Sequence, residues 1–445
     1  MKSIRRGNPL WLPALALFFL TSILPLQSFA GTEEEIKVLK ERVDAMEGQH
    51  TEFRKSIAEE LDFLRRDMDM VDYRTARIKA LDQKVGAFTL GGDLSFFLQG
   101  FSVDGEGKTD GSYSGDLFLT IPVGPYGNVY LRGDIGEGEG IAGGLPPTFS
   151  GPNADLEFNE PKFTLAEAWY WTSFPIPDLR DQRLELTIGK IDPTGIFDAN
   201  AVANSETNQF IADIFVNNLA IEFAGDENGY GPGVALGYRF TSIYTTGLEV
   251  IGRLGLFEGD IEGEGTFKRV FDRPFVIGEL DIKTSYYGLG GNYRIYGWIN
   301  QNSHTKWDGS DDDAANKGFG LSIDQRVSND VTLFARYGLQ DEDVSNFGQV
   351  ITIGGQVIGN SWRRGNDAIG IAYGLSKTSG KYEDVSLATN GYEAKGDEHY
   401  IEAYYKYWAN ANLTISPDLQ YVVNPGGDEE KDAVLIYAAR MQLTF

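Results

Sequence analysis

The chain closes on "VLIYAARMQLTF", residues 434–445, with an aromatic ring as its last side chain. Taken two at a time, Phe445, Leu443, Met441, Ala439, Tyr437 and Leu435 share one face, and Thr444, Gln442, Arg440, Ala438 and Ile436 share the other. A period of two with one apolar face belongs to a β-strand whose sides meet different surroundings. A soluble sheet and a membrane barrel both alternate in this way, so the fold is decided by what the apolar face touches.

The other end of the chain narrows the choice. Lys2, Arg5 and Arg6 precede an apolar run from Leu10 to about Leu26, followed by "SFA" at 28–30 and Gly31. This order predicts a secretory signal over residues 1–30, cleaved after Ala30. A transmembrane anchor is the alternative, but the run is short for a span and contains Pro13 and Pro25. The absence of cysteine excludes disulfides, thiol chemistry and lipid attachment at a cysteine. The 39 basic and 65 acidic residues give a net charge of −26, which becomes −29 when the three signal cations leave, so nucleic acid is not an expected partner. No later stretch is apolar enough for a spanning helix, so an exported chain that crosses a membrane must close into a barrel. The 54 glycines and 13% aromatic content suit barrel turns and interfacial girdles.

Residues 31–87 carry a helical period. Ile36, Val43, Ile57, Leu64, Val71, Ile78 and Val85 recur every seven places, broken only by His50, and Leu39, Met46, Phe53 and Leu81 accompany them. Charged residues fill the remaining places. The pattern predicts a coiled coil roughly 80 Å long whose seam slips by one place at Leu61 and Met68. A helix folded back on its own chain is the alternative.

Residues 88–445 carry a period of two, in segments of about 8 to 11 residues separated by Gly, Asp, Asn and Pro. With the more apolar parity set outward, the other parity holds Arg132, Asp134, Glu185, Glu222, Arg239, Glu249, Arg253, Arg294, Asp324, Arg326, Arg336, Glu402, Lys406, Asp418 and Arg440. These are the candidate pore-lining residues. The outward parity is almost free of charge, with Lys190 the clearest exception. A β-sandwich would show the same alternation. The terminal Phe445, the clusters "WYW" at 169–171 and "YYKYW" at 404–408, and the lack of elements to cover so long a sheet favour a barrel. About seventeen segments qualify as strands, and the even count of bacterial barrels makes sixteen the expectation, with 276–288 and 349–358 the doubtful ones. A barrel of that size keeps an aqueous lumen.

The inward charges are nearly balanced, whereas an ion filter would carry one sign. With Tyr130, Tyr296, Trp298, Tyr404 and Trp408 on the same parity, the lumen suits a neutral polyol, whose hydroxyls bond to charged groups while its C–H face lies on aromatic rings. Ion pairs that merely brace the wall are the alternative for any single pair. The excess acid sits in loop-like runs such as "DGSDDDAAN" at 308–316 and "GGDEEKD" at 426–432. These solvate the surface or bridge through divalent ions to an outer leaflet of lipopolysaccharide.

One stretch breaks the pattern: "GKIDPTGIFDANAVANSETNQFIADIFVNN", residues 189–218, too polar for a lipid-facing strand and punctuated by Phe197, Phe210 and Phe215. It predicts a constriction loop folded into the lumen. Together with "GPGVALGYRF" at 231–240, "EAYYKYW" at 402–408, "ISPDLQYVVNPGG" at 415–427 and the closing Arg440 and Phe445, it resembles the carbohydrate-selective porin family of Gram-negative outer membranes, the OprB type. The resemblance is good over 160–445 and looser over 88–160. It implies a sixteen-stranded outer-membrane barrel that takes up monosaccharides such as glucose, and it matches Asp198, Asn200, Asn204, Glu206 and Gln209 to the family's signature segment. A general diffusion porin is the alternative function.

Against an enzyme, the only histidines are His50, His304 and His399, none with a serine partner on its face. No metal or cofactor is expected. A trimeric adhesin would need a passenger domain that the chain does not have. The coiled-coil seam favours self-association without deciding between two and three strands; a homotrimer is the expectation, with a peptidoglycan contact as the segment's other use.

Overall fold

The computed structural model describes residues 33–85, 88–103, 105–155, 161–177, 179–223, 230–242, 247–259 and 270–445. The expected signal at 1–30 lies outside them. Two compact units result, a helical one and a barrel from Val85 onward. The helical unit is one helix, α1 (Glu33–Val85). Ile36, Leu39, Val43, Met46, Phe53 and Ile57 are exposed along it in the single chain.

The barrel unit contains β1 (Thr89–Val103), β2 (Glu106–Val123), β3 (Gly127–Glu137), β4 (Lys162–Ile176), β5 (Leu179–Ile191), a short helix α2 (Asp213–Val216), β6 (Gly231–Thr241), β7 (Glu249–Phe257), β8 (Phe275–Tyr286), β9 (Leu289–His304), β10 (Ala314–Arg326), β11 (Val331–Gln340), β12 (Phe347–Gly359), β13 (Arg364–Thr378), α3 (Gly380–Asn390), β14 (Glu398–Asn410), β15 (Leu413–Val423) and β16 (Val434–Thr444). Each strand pairs antiparallel with its sequence neighbours, and β1 pairs with β16, so the sheet closes. Both doubtful segments are strands, β8 and β12. The surplus candidate is the one around Glu222, which lies in the long β5–β6 connection and not in a strand. From β2 onward alternate connections are short turns and the others longer loops, the β1–β2 connection being short as well, as when one barrel end faces the periplasm and the other the outside.

The terminal strand shows why closure and parity go together. Leu435, Tyr437 and Ala439 are exposed, while Val434, Ile436, Ala438, Arg440 and Gln442 are buried. The same outward series continues through Leu419, Ile401, Ile371, Ile353 and Leu333. So large an apolar belt is stable against hydrocarbon and not against water. Among the described residues no helix is long and apolar enough to cross a membrane.

At the seam, Phe445 N–H donates to the Gly92 carbonyl at 2.9 Å and Gly92 N–H to the Phe445 carbonyl at 3.0 Å. The Phe445 ring lies against Gly92, where an added Cβ would meet its Cζ at 2.7 Å and the Asp116 carbonyl at 2.7 Å. A glycine under an aromatic ring thus lets the last side chain lie flat on the closing strands. Gly92→Val should cost about 1–3 kcal/mol of overpacking and lower the temperature at which the folded, fast-migrating gel band converts to the unfolded one.

Candidate functional site

The connection from Asp192 to Phe223, L3, folds into the barrel. Phe197, Val202, Ala203, Phe210, Ile211, Ala212, Ile214 and Phe215 are all buried. Phe210 and Phe215 lie 5.3 Å apart at their centroids and meet Phe334, Tyr404 and Tyr400 of the wall. Phe197 joins a second cluster with Phe257, Phe275, Tyr296 and Trp298. L3 therefore plugs the lumen along β7 to β16 by burying apolar surface against inward side chains of the wall.

Its backbone also needs partners, and inward charges supply them. Arg336 Nε lies 3.1 Å from Asp198 Oδ2, with both side chains essentially inaccessible. The same guanidinium donates to the carbonyls of Phe215 at 2.8 Å and Asp198 at 3.0 Å, and to Asn204 Oδ1 at 3.2 Å. Tyr296 Oη and Asn218 N–H donate to the Asp198 carboxylate at 2.7 and 2.8 Å, and Asp198 N–H donates to Glu279 at 2.8 Å. Asp198 holds φ at +56°, a region that Asp tolerates better than most residues. Glu402 accepts from Ile211 N–H at 2.5 Å and Ala212 N–H at 3.0 Å. Arg440 donates to the carbonyls of Glu206 and Gln209, the latter at 2.8 Å. Asn200 donates to Ser322, Asp324 accepts from Ala201 N–H, and Asn204 N–H and the Ala201 carbonyl are both held by Gln209.

A second loop, which sequence analysis did not anticipate, also enters. Glu398 accepts from Phe149 N–H at 2.8 Å and Ser150 N–H at 3.2 Å, turning the β3–β4 loop inward. Gly151 N–H donates to Asp213 Oδ2 at 3.1 Å, and Ala154 N–H to the Ile211 carbonyl at 2.9 Å. The two loops are zipped across the lumen. Burial pushes the Asp213 carboxyl up to about 6, which the Gly151 N–H offsets only in part; burial likewise raises Glu206.

Space remains on the side of β2 to β7. A cavity of about 510 Å³ is lined by Arg132, Asp192, Asn204, Glu206, Asp213 and Tyr230 among others. A second, of about 360 Å³, is lined by Tyr130, Glu167, Trp169, Trp171, Glu185 and Arg253. They meet at Asp192 and Gly195. The Tyr130 and Trp169 rings stack at 4.7 Å, and Trp169 donates to Glu167 at 2.8 Å. Arg132 lies 3.4 Å from both Asp116 and Glu167 and over the Tyr230 ring at 4.6 Å. Along the wall, Arg239 bridges Glu185 at 2.7 Å and Glu249 at 2.6 Å, Arg253 reaches Glu279 at 2.6 Å, and Arg294 reaches Asp324 at 3.1 Å.

The candidate residues thus fall into groups. Arg132, Glu185, Arg239 and Arg253 are half-buried on the open side. Asp134, Arg294, Asp324, Arg336, Glu402, Asp418 and Arg440 are buried on the inward wall, with Lys406 half-buried beside Arg440. Glu222 is off the strands and pairs with His304 at 2.9 Å. Arg326 is exposed and caps the β10–β11 turn through the carbonyls of Ser328 and Asn329. Asp198, Asn200, Asn204 and Gln209 hold L3 together, and Glu206 faces the larger cavity. Of the five aromatic residues expected inward, Tyr296, Trp298 and Tyr404 lie buried beneath L3, and Tyr130 lines a cavity. The sequence reading missed Glu167, Glu279 and Asp281: a bulge at Ala166 inverts the parity of β4, and β8 was in doubt.

His304 is bonded to Glu222 and His399 to Tyr373, so neither histidine addresses a serine. An inward loop, a ladder of balanced charges and an aromatic ledge make a channel interior. Residues 123–445 match the model of the family described as "Carbohydrate-selective porin, OprB family". The chain belongs to that family. It is accordingly a carbohydrate porin of the outer membrane, a channel rather than an enzyme. No curated protein matches it. Among solved structures, the high-pH form of Pseudomonas putida OprB is similar at TM-score 0.69 and 17% identity, covering 84% of this chain and 97% of that one. The low-pH form of the same protein gives 0.50 and 14% over the same shares. At such identity the likeness concerns the fold.

Two outcomes follow for L3. Asp198→Ala strands a buried guanidinium, typically a loss of about 3–5 kcal/mol, so single-channel recordings should show larger and noisier conductance, more than for removal of Asp311, Asp312 and Asp313. The Asp213 carboxyl has a folded value of about 6, above its ordinary 3.8, so its protonated form is favoured in the zipped loops. The penalty for its charge is absent below 3.8, grows up to about 6 and is complete above that. Open-channel noise should therefore fall from pH 7.5 to pH 5, and Asp213→Asn should flatten the change.

Proposed function

We propose that this OprB-family chain passes small neutral sugars, monosaccharides such as glucose, by passive diffusion along the side of the lumen that L3 leaves open. The observation that carries the reading is the stacked Tyr130–Trp169 pair beside Arg132, Glu167 and Asp192. A pyranose offers an apolar C–H face to such a ledge and hydroxyls to the neighbouring charges. Arg132, Glu185, Arg239 and Arg253 are then pore-lining, while Arg336, Glu402 and Arg440 act through L3 as positioning residues. Catalysis has no part in the reading.

Liposome swelling with sugars, amino acids and ions of matched size tests it. Sugars should enter several-fold faster, and Trp169→Ala should remove most of that preference while conductance holds; equal rates for all solutes would make the chain a general diffusion porin.

The exposed seam of α1 supports assembly into homotrimers through a periplasmic coiled coil, since each large apolar side chain removed from water contributes roughly 1.5–3 kcal/mol. Detergent-solubilised protein lacking residues 33–85 should sediment as monomer with unchanged single-channel conductance. A deletion that stays trimeric would leave α1 as a spacer or a peptidoglycan contact.

A further inference from the structure

The outward face of the wall is apolar and nearly free of charge, and a charged cluster stands beside it at the turn end of β11 to β14. Pairing of β11 to β14 sets Leu333, Gly355, Ile371 and Ala403 in one outward row, with Val331, Val357, Ile369 and Tyr405 in the next row toward the short turns. Gly355 and Ala403 are small among large neighbours. The result is an apolar groove of about 630 Å³ between Leu333, Ile353, Val357, Ile369 and Ile371.

A charged, aromatic cluster stands at its turn end. Arg364 Nε lies 2.5 Å from Asp367 Oδ2, and its guanidinium stacks 4.3 Å from the Tyr407 ring centroid. Tyr405, in the row of Val357 and Ile369, donates its hydroxyl to Asp367, and Trp408 N–H donates to the same carboxylate at 3.0 Å. Arg364 bonds Asp367 and the Trp408 carbonyl through Nε and Nη2, and its side chain stays exposed at the surface. Arg363 precedes it, exposed and in the left-handed region at φ +63°. Counted with the adjoining β10–β11 turn, Arg326, Arg363 and Arg364 stand against Asp367 and Asp330, the latter accepting from Asn360 at 2.7 Å, which leaves one cation in excess where an apolar groove reaches the periplasmic interface.

We propose that this is a binding site for one phospholipid of the periplasmic leaflet, its phosphate on Arg363 and Arg364 and an acyl chain in the groove past Gly355. Guanidinium groups suit phosphate oxygens by shape and by charge. Tyr405 and Tyr407 at the headgroup level hold the cation at that depth. A second barrel on this face would bring more apolar wall, which leaves the excess cation unanswered; a phospholipid supplies both the chain and the anion. The inference rests on the outer-membrane setting and is independent of which solute the lumen passes.

The test is native mass spectrometry of the full chain in mild detergent, titrated with dioleoyl phosphatidylglycerol. One lipid should be retained per chain. Arg363→Gln together with Arg364→Gln should lower retention about tenfold, and Ile371→Trp, which fills the groove from a side chain already 61% exposed, should lower it about fivefold with the heat-shifted gel band unchanged. Arg273→Gln, at the opposite end of the barrel, should change nothing. Equal retention by all variants overturns the proposal, as does an Ile371→Trp protein that keeps its lipid but changes oligomeric state, which would mark the face as a contact between barrels. Ile371→Trp keeps the test decisive if loss of Arg364 impairs folding.

Discussion

Hydrocarbon accepts no hydrogen bonds, and that constraint fixes most of this architecture. Every N–H and C=O in the spanning strands must find its partner on a neighbouring strand, so a sheet with free edges is excluded and β1 must meet β16. The exchange between Gly92 and Phe445 completes the seam at the last residue of the chain. Once the sheet is closed with sixteen strands, the circumference is set, and it encloses more space than inward side chains can fill. The remaining structure is a response to that surplus volume.

The response is to bring chain inside, which raises the same problem a second time. L3 carries backbone groups into a dry interior, where an unpartnered N–H or C=O costs as much as it would in lipid. The inward charges answer for it. Glu402 and Glu279 accept from L3 amides, while Arg336 and Arg440 donate to L3 carbonyls. Their burial, unusual for such residues, follows from this use. Apolar burial around Phe210 and Phe215 supplies the driving force, and the charges supply register, since Asp198 can meet Arg336, Tyr296 and Asn218 together in one placement only.

How much of this the sequence discloses depends on the range of the interaction. Strand parity is local, and it located the wall, the lipid face and Arg440 from a dozen terminal residues. The polar text of 189–218 between two strands marked L3. The β3–β4 loop left no such mark: its Gly- and Pro-rich run reads as surface, and it turns inward through Glu398, about 250 residues further on. Parity itself failed at Ala166, where one extra residue puts Phe163 and Leu165 outward and Glu167 inward although all three are odd-numbered. Glu222 failed for the converse reason, since an apolar stretch can alternate while packed against a wall and not be part of it. The helical period of residues 33–85 was legible, and α1 follows it.

The open side of the lumen combines these constraints into a preference for uncharged solutes. Arg239 stands between Glu185 and Glu249, and Arg253 beside Glu279 and Asp281, so positive and negative groups alternate around the wall. An ion moving past meets opposite fields over a few ångströms and gains no net attraction to offset the water it sheds. A sugar exchanges hydroxyl–water bonds for hydroxyl–charge bonds of comparable strength at each step, because each of its hydroxyls both donates and accepts. The Tyr130–Trp169 ledge adds what water cannot, an apolar surface for the ring's C–H face. The zip between Gly151 and Asp213 joins the two inward loops within the lumen, apart from the hydrogen bonds that close the wall: the sixteen strands answer to the membrane, and the inward loops fill the space those strands enclose.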